Sequence, residues 1–171
     1  FRSEVALRGI RKVNPDFGSL KAWVADLGAP PRRFYLVSGF AANDPESTRH
    51  LLSSIMKKME LDGKEMMGLL NLRQDRGDRT LQWLAALRQG VFPEFKRLIF
   101  VGGHAQALKR SLEKKVKTKL VILKEKKPEK IMERIEGMAK GEAFLFGMGN
   151  MGGMGKELVH YWENIGKPYG F

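Results

Sequence analysis

The chain has 171 residues and carries 31 Lys and Arg against 19 Asp and Glu, a formal net charge of +12. With 43% hydrophobic residues, this length suits one well-buried globular domain and is cramped for two. The absence of cysteine excludes a disulfide framework, thiolate metal ligation and a cysteine nucleophile, while the positive balance favours polyanionic or acidic partners.

No apolar run approaches the roughly 18 residues of a membrane helix, and the opening FRSEVALRGIRK lacks a signal-peptide layout, so a soluble chain is expected. The chain opens on Phe1 rather than methionine and is read as a piece of a longer protein. In chain order, Ser3 to Arg11 predicts a short leading helix, which Asn14-Pro15-Asp16-Phe17-Gly18 breaks. Residues 1–18 are therefore expected to form a leading helix and linker, and 19–171 a single α/β domain.

Leu20 to Leu27 and Phe34 to Phe40 predict two strands joined through Gly28-Ala29-Pro30-Pro31, an antiparallel hairpin that leads into the sheet. Further strands are expected at Met66–Leu72, Leu98–Val101, Leu120–Leu123 and Ala143–Phe146, each followed by amphipathic sequence. Pro45–Glu60 places Leu51, Leu52, Ile55, Met56 and Met59 on one helical stripe, and Thr80–Arg88 places Leu81, Leu84 and Leu87 on another. About five strand–helix alternations predict an α/β, Rossmann-like domain with a mainly parallel sheet and helices on both faces. Ligands of such sheets gather at the carboxyl ends of the strands.

The loops after the strands carry the chemistry. In GFAANDPEST, Asp44 suits a helix N-cap and Pro45 the first helical position, while Asn43, Ser47 and Thr48 add polar groups at a helix mouth that stabilises anions. In NLRQDRGDRT, three arginines at three-residue spacing make a receptor for carboxylate or phosphate, unless Arg73, Arg76 and Arg79 merely pair with Asp75 and Asp78 and Asp78 caps the next helix. Gly147-Met148-Gly149-Asn150-Met151-Gly152 matches G-x-G-x-x-G, but it follows the last strand and no acidic residue at a further strand completes a dinucleotide fingerprint. Its glycines are read as clearing space for a substrate or intermediate. Asn150 and Glu157 stand where a phosphate-binding P-loop needs Gly and Ser or Thr, so no complete Walker motif exists around Gly155-Lys156.

His50, His104 and His160 lack metal-ligand spacing, and only His104, after Val101-Gly102-Gly103, lies at the ligand edge. Lys109 to Arg134 holds eleven basic and four acidic residues, seven of the twelve net charges. Without an aromatic stacking motif it reads as a solvated face rather than a nucleic-acid site, its lysines guarding an edge strand.

The strings NPDFGSLKAW, VSGFAANDPESTR, LLNLRQDRGDRTLQW and FGMGNMGGMGKELVHYW, in this order, resemble the carboxyl-terminal part of the Mur-ligase-like subunit of poly-γ-glutamate synthase, a capsule-biosynthesis ligase family. The resemblance implies the closing domain of an ATP-dependent amide ligase that activates a carboxylate as an acyl phosphate and joins glutamate through γ-amide bonds. It implies ATP and Mg2+ in the full-length parent, held mainly by an absent central domain. Glutamate, poly-γ-glutamate and membrane subunits of a synthase complex are the implied partners, and the inner face of the cell membrane the implied location.

By position, the resemblance makes Asn43, Asp44 and Ser47 nucleotide-side residues and Arg73, Arg76 and Arg79 receptors for the incoming acidic amino acid, Arg76 foremost. Gly149, Asn150 and Gly152 form a candidate substrate loop; no residue of this chain is assigned as catalytic or as a metal ligand. A non-enzymatic polyanion- or nucleotide-binding module is the alternative that the charge supports, and a small dehydrogenase the one that G-x-G-x-x-G alone would support.

Overall fold

The computed structural model describes residues 20–170; the expected leading helix and linker, 1–18, lie outside the described residues. Strands β1 (Lys21–Leu27) and β2 (Arg32–Ser38) form the antiparallel hairpin, with Trp23 opposite Leu36 and Ala25 opposite Phe34. Four strand–helix steps follow: α1 (Pro45–Met56), β3 (Glu65–Leu72), α2 (Gly77–Arg88), β4 (Arg97–Gly102), α3 (Ala105–Leu112), β5 (Lys119–Ile122), α4 (Pro128–Met138) and β6 (Ala143–Gly149). Helix α5 (Met154–Ile165) and the two-residue β7 (Lys167–Pro168) complete the described chain.

One seven-stranded sheet results, in the order β5-β4-β3-β6-β2-β1-β7. Strands β2 to β6 are mutually parallel where they pair, and β1 and β7 run antiparallel at one edge. The α/β architecture with a mainly parallel sheet is therefore as expected. Side chains alternate across the pleat: Met66 and Leu70 of β3 and Phe144 and Phe146 of β6 face one side, while Met67, Leu69, Ala143 and Leu145 face the other.

Helices α1, α2 and α3 cover the first face through Leu52, Ile55, Trp83, Leu87, Leu108 and Leu112, and α4 and α5 cover the second through Ile131, Ile135, Leu158 and Trp162. An aromatic chain runs through the first layer: Trp83 stacks on Phe92, Phe92 on Phe95 and Phe95 on Phe146, with centroids 5.7, 6.0 and 6.4 Å apart. In the second, Trp162 lies between Trp23 and Phe40 at 6.2 and 6.0 Å.

The face assignment follows from connectivity. The chain steps outward from β2 to β5 with its helices on one face, then returns through α4 on the other, as right-handed crossovers demand. Strand β6 thus sits between β2 and β3, yet its exit leads to the face opposite theirs. The chain parts on both flanks of β6, and these crevices are where a doubly wound sheet receives ligands.

Three details differ from expectation. Helix α1 ends at Met56 rather than Glu60, although the amides of Lys58 and Met59 both still reach the Ile55 carbonyl at 2.9 Å and keep Met59 buried. Asp78 lies in the first turn of α2 instead of capping it; the cap position is Arg76, whose side chain makes no capping bond. Strand β7 carried no periodic signal, and it seals the outer edge of β1 with the Tyr169 amide donating to the Ala22 carbonyl at 2.9 Å.

Candidate functional site

The exits of β2 and β6 are fused. The Gly39 amide donates to the Gly147 carbonyl at 2.8 Å, and a Cβ on either glycine would enter an aromatic ring, Phe146 for Gly39 and Phe40 for Gly147. Beyond Phe40 the chain turns into α1, where Asp44 is the N-cap: the Ser47 amide donates to Asp44 Oδ1 at 2.9 Å, and Pro45 occupies the first turn. Thr48 Oγ1 lies 2.6 Å from the Ala42 carbonyl and 2.7 Å from that of Asp44. Thr48 is fully buried, so it braces the loop and does not offer its hydroxyl to a ligand, contrary to the sequence expectation.

Partial burial pushes the Asp44 carboxyl up, but the Ser47 amide and hydroxyl, the Glu46 amide and the Arg79 charge outweigh it and hold the group below its ordinary 3.8. Asp44 and Ser47 therefore satisfy each other, and Asn43 remains exposed beside them. Replacing Asp44 with Ala should lower stability by about 1 kcal/mol at neutral pH. Because the folded carboxyl is depressed, this contribution exists above the unfolded pKa and is lost as pH falls through the folded one. Paired melting curves should thus converge in acid; a gap that persists there would contradict the capping role.

Asn71, the penultimate residue of β3, stitches the other flank of β6. It is 2% exposed, and its Nδ2 donates to the carbonyls of Asn150 at 2.6 Å and Gly152 at 3.0 Å. In return the Asn150 amide donates to the Asn71 carbonyl at 3.0 Å. Gly149 makes this approach feasible: at φ +88° it takes a conformation that side chains disfavour, and a Cβ there would lie 2.5 Å from the Asn71 carbonyl oxygen. The space expected to hold a substrate at Gly149 is thus filled by β3 itself. At Gly152 it is filled by Arg73, whose Nη1 would lie 2.5 Å from a Cβ.

The three arginines diverge. Arg73 packs along Gly152 and is held by Asp75, Nε to Oδ1 at 2.9 Å and Nη2 to Oδ2 at 2.7 Å. Both partners are substantially exposed, 41% and 61%, so the pair is open to exchange with another carboxylate. The Arg73 hydrogen bond chiefly lowers the Asp75 pKa, with its charge and that of Arg76 adding to the effect. Arg79 donates to Gln82 Oε1 at 3.0 Å and directs charge toward Asp44. Arg76 is exposed at the mouth of α2 and makes no side-chain hydrogen bond or ion pair among the described residues.

The helix mouths on this edge also differ. That of α1 is closed by a carboxylate, while α2, α3 and α5 begin at Arg76, His104 and Gly153 without a side-chain cap. Uncapped mouths, the positive ends of their helix dipoles and the arginine loop give this edge a positive character that favours anions. Among the described residues no group of three or more His, Asp or Glu side chains is placed to hold a metal ion.

Comparison with known proteins decides the lineage. The family model described as poly-gamma-glutamate synthase CapB C-terminal domain matches residues 24–165. The chain belongs to this family. Two curated relatives carry the CapB name: PGA synthase CapB of Bacillus subtilis (strain 168), 29% identical over 160 residues, and Capsule biosynthesis protein CapB of Bacillus anthracis, 29% identical over 171. These alignments take in 91% and 96% of this chain but only 39% and 35% of the CapB relatives. Among solved structures, one similar to this CapB-type domain is assigned as a domain of a UDP-N-acetylmuramate:L-alanyl-gamma-D-glutamyl-medo-diaminopimelate ligase from Haemophilus ducreyi 35000HP. It aligns at TM-score 0.48 and 13% identity, over 75% of this chain and 90% of that one.

Sequence reading singled out the arginine and glycine loops of this CapB-family domain but missed Asn71 as their shared anchor. The available signal was one amide residue, next to last in a strand that is apolar after Glu65, EMMGLLNL. No described helix is long and apolar enough to cross a membrane.

Proposed function

We propose that this domain binds the incoming glutamate for an ATP-dependent ligase that forms γ-amide bonds. Family membership over residues 24–165 carries the reading, and the arginine loop beside β6 supports it. Arg76, with Arg73 released from Asp75, receives the two carboxylates of glutamate through charge-assisted bonds. Arg79 balances Asp44, and Asn43, Asp44 and Ser47 face the nucleotide across the domain boundary.

In the proposed reaction an acceptor carboxylate oxygen attacks the γ-phosphorus of ATP and ADP leaves. The glutamate amine then attacks the acyl carbon, inorganic phosphate departs and the amine sheds a proton. A neighbouring domain supplies the P-loop and Mg2+, and this domain contributes position and charge. Synthase subunits in the membrane hold the assembly at its inner face.

The test is glutamate-dependent ATP turnover by the ligase that carries this domain. Arg76→Ala should raise the KM for glutamate about 10- to 100-fold, the range expected for losing one charge-assisted hydrogen bond. Arg76→Lys should recover part of that loss. An unchanged KM in the alanine variant would remove Arg76 from the site.

A further inference from the structure

A cavity of about 590 Å³ opens at the carboxyl ends of β4 and β5, beside the proposed glutamate site at the arginine loop and separate from it. Its floor is apolar, built from Val101, Ile122, Leu123 and Met154. Its rim carries Lys124 and Lys126, both exposed and without a hydrogen bond or ion pair among the described residues. The one carboxylate on that rim, Glu125, is engaged by Arg134 Nε at 3.2 Å. The size is that of a ligand pocket, and the free charge around it is positive.

The cavity's walls adjoin the arginine loop at two points. His104, on its wall, sits at φ 61° with its Nε2 2.9 Å from the carbonyl of Gln74 in the arginine loop. Met154 begins α5 two residues after Gly152, against which Arg73 lies. The first turn of α3 also lines the cavity; Leu108 is the first of its amides to bond within the helix, to the His104 carbonyl at 2.9 Å.

An apolar floor under a cationic rim matches a chain whose repeat holds two methylenes, an amide and a free carboxylate. We infer that this cavity holds γ-linked glutamate oligomer, its methylene pairs on Ile122, Leu123 and Met154, its carboxylates at Lys124 and Lys126 and its amides toward the open mouth. The inference rests on the proposed ligase reading for its ligand and names a second subsite for it, distinct from the arginine loop. Helix mouth and lysines alone would attract any anion; the apolar floor is what favours a carboxylate chain with methylene pairs between its charges.

The experiment measures binding of hexa-γ-glutamate, free glutamate and a single-stranded oligonucleotide of equal charge to the 171-residue chain and to Lys124→Glu/Lys126→Glu. The oligomer should bind the wild type, more weakly as salt rises, and the double variant about tenfold or more weakly, while free glutamate binding stays unchanged. Amides of Gln106 and Ala107 should gain hydrogen-exchange protection when the oligomer is added. An oligomer that fails to bind the wild type, or binds the variant equally well, overturns the subsite. So does an oligonucleotide that binds as tightly and with the same lysine dependence. If the oligomer binds through the two lysines while the ligase proves indifferent to glutamate, the functional reading fails and the cavity assignment stands; the opposite pair of results removes the cavity assignment alone.

Discussion

Asn71→Asp should destabilise the domain by about 3 kcal/mol at neutral pH, although the two side chains are nearly isosteric. Asn71 Nδ2 donates to two carbonyls, of Asn150 and Gly152, from a position only 2% exposed. An aspartate there turns acceptor oxygens toward acceptor oxygens and adds a charge in a desolvated crevice. Its pKa in the folded state must rise above the ordinary value of about 3.9, because only the protonated acid donates a hydrogen bond. The unfolded state then releases its proton first as pH climbs, so the deficit relative to wild type grows through and above the carboxylate range and shrinks in acid. Urea unfolding across a pH series reads this directly. A deficit that is flat with pH would mean the amide's two bonds contribute little.

The glycines beside it should separate into two kinds. Gly149→Ala forces a side chain into a backbone at φ +88° and places its Cβ 2.5 Å from the Asn71 carbonyl oxygen and 2.7 Å from Leu70 Cδ1. Strain and overpacking together should remove about 2–5 kcal/mol, enough to unfold a marginal domain. Gly152→Ala meets only the far end of the Arg73 side chain, with Nη1 at 2.5 Å. That guanidinium can swing away, so stability should stay within about 1 kcal/mol of wild type, while the proposed binding of glutamate through Arg73 should weaken. Equal losses in the two variants would show that the glycine loop is not anchored on β3 as described.

The sheet was legible because its strands are short apolar runs and its helices carry one apolar stripe. Met66–Leu72 and Ala143–Phe146 could hardly be other than buried strands, and Leu52, Ile55, Trp83 and Leu87 mark the buried sides of α1 and α2. β7 was not legible, since two residues carry no period and their pairing with Trp23 and Val24 is decided by tertiary packing. The end of α1 was misplaced because Met59 continues the apolar stripe after the helix stops, held by the Ile55 carbonyl.

In the site, three-residue spacing suggested that Arg73, Arg76 and Arg79 act together. The spacing spans a loop and a first helical turn, so it sends them in different directions: over Gly152, into solvent, and toward Gln82. Local sequence also says nothing of the cavity behind His104, whose walls come from β4, α3, β5 and α5.

Two cross-links, Gly39 to Gly147 and Asn71 to Asn150, tie the three central exits into one slab that rests on the aromatic core. Cross-linked in this way, the three exits keep one mutual arrangement. Under the proposed ligase reading, whatever docks at these exits meets a surface whose shape is fixed before contact.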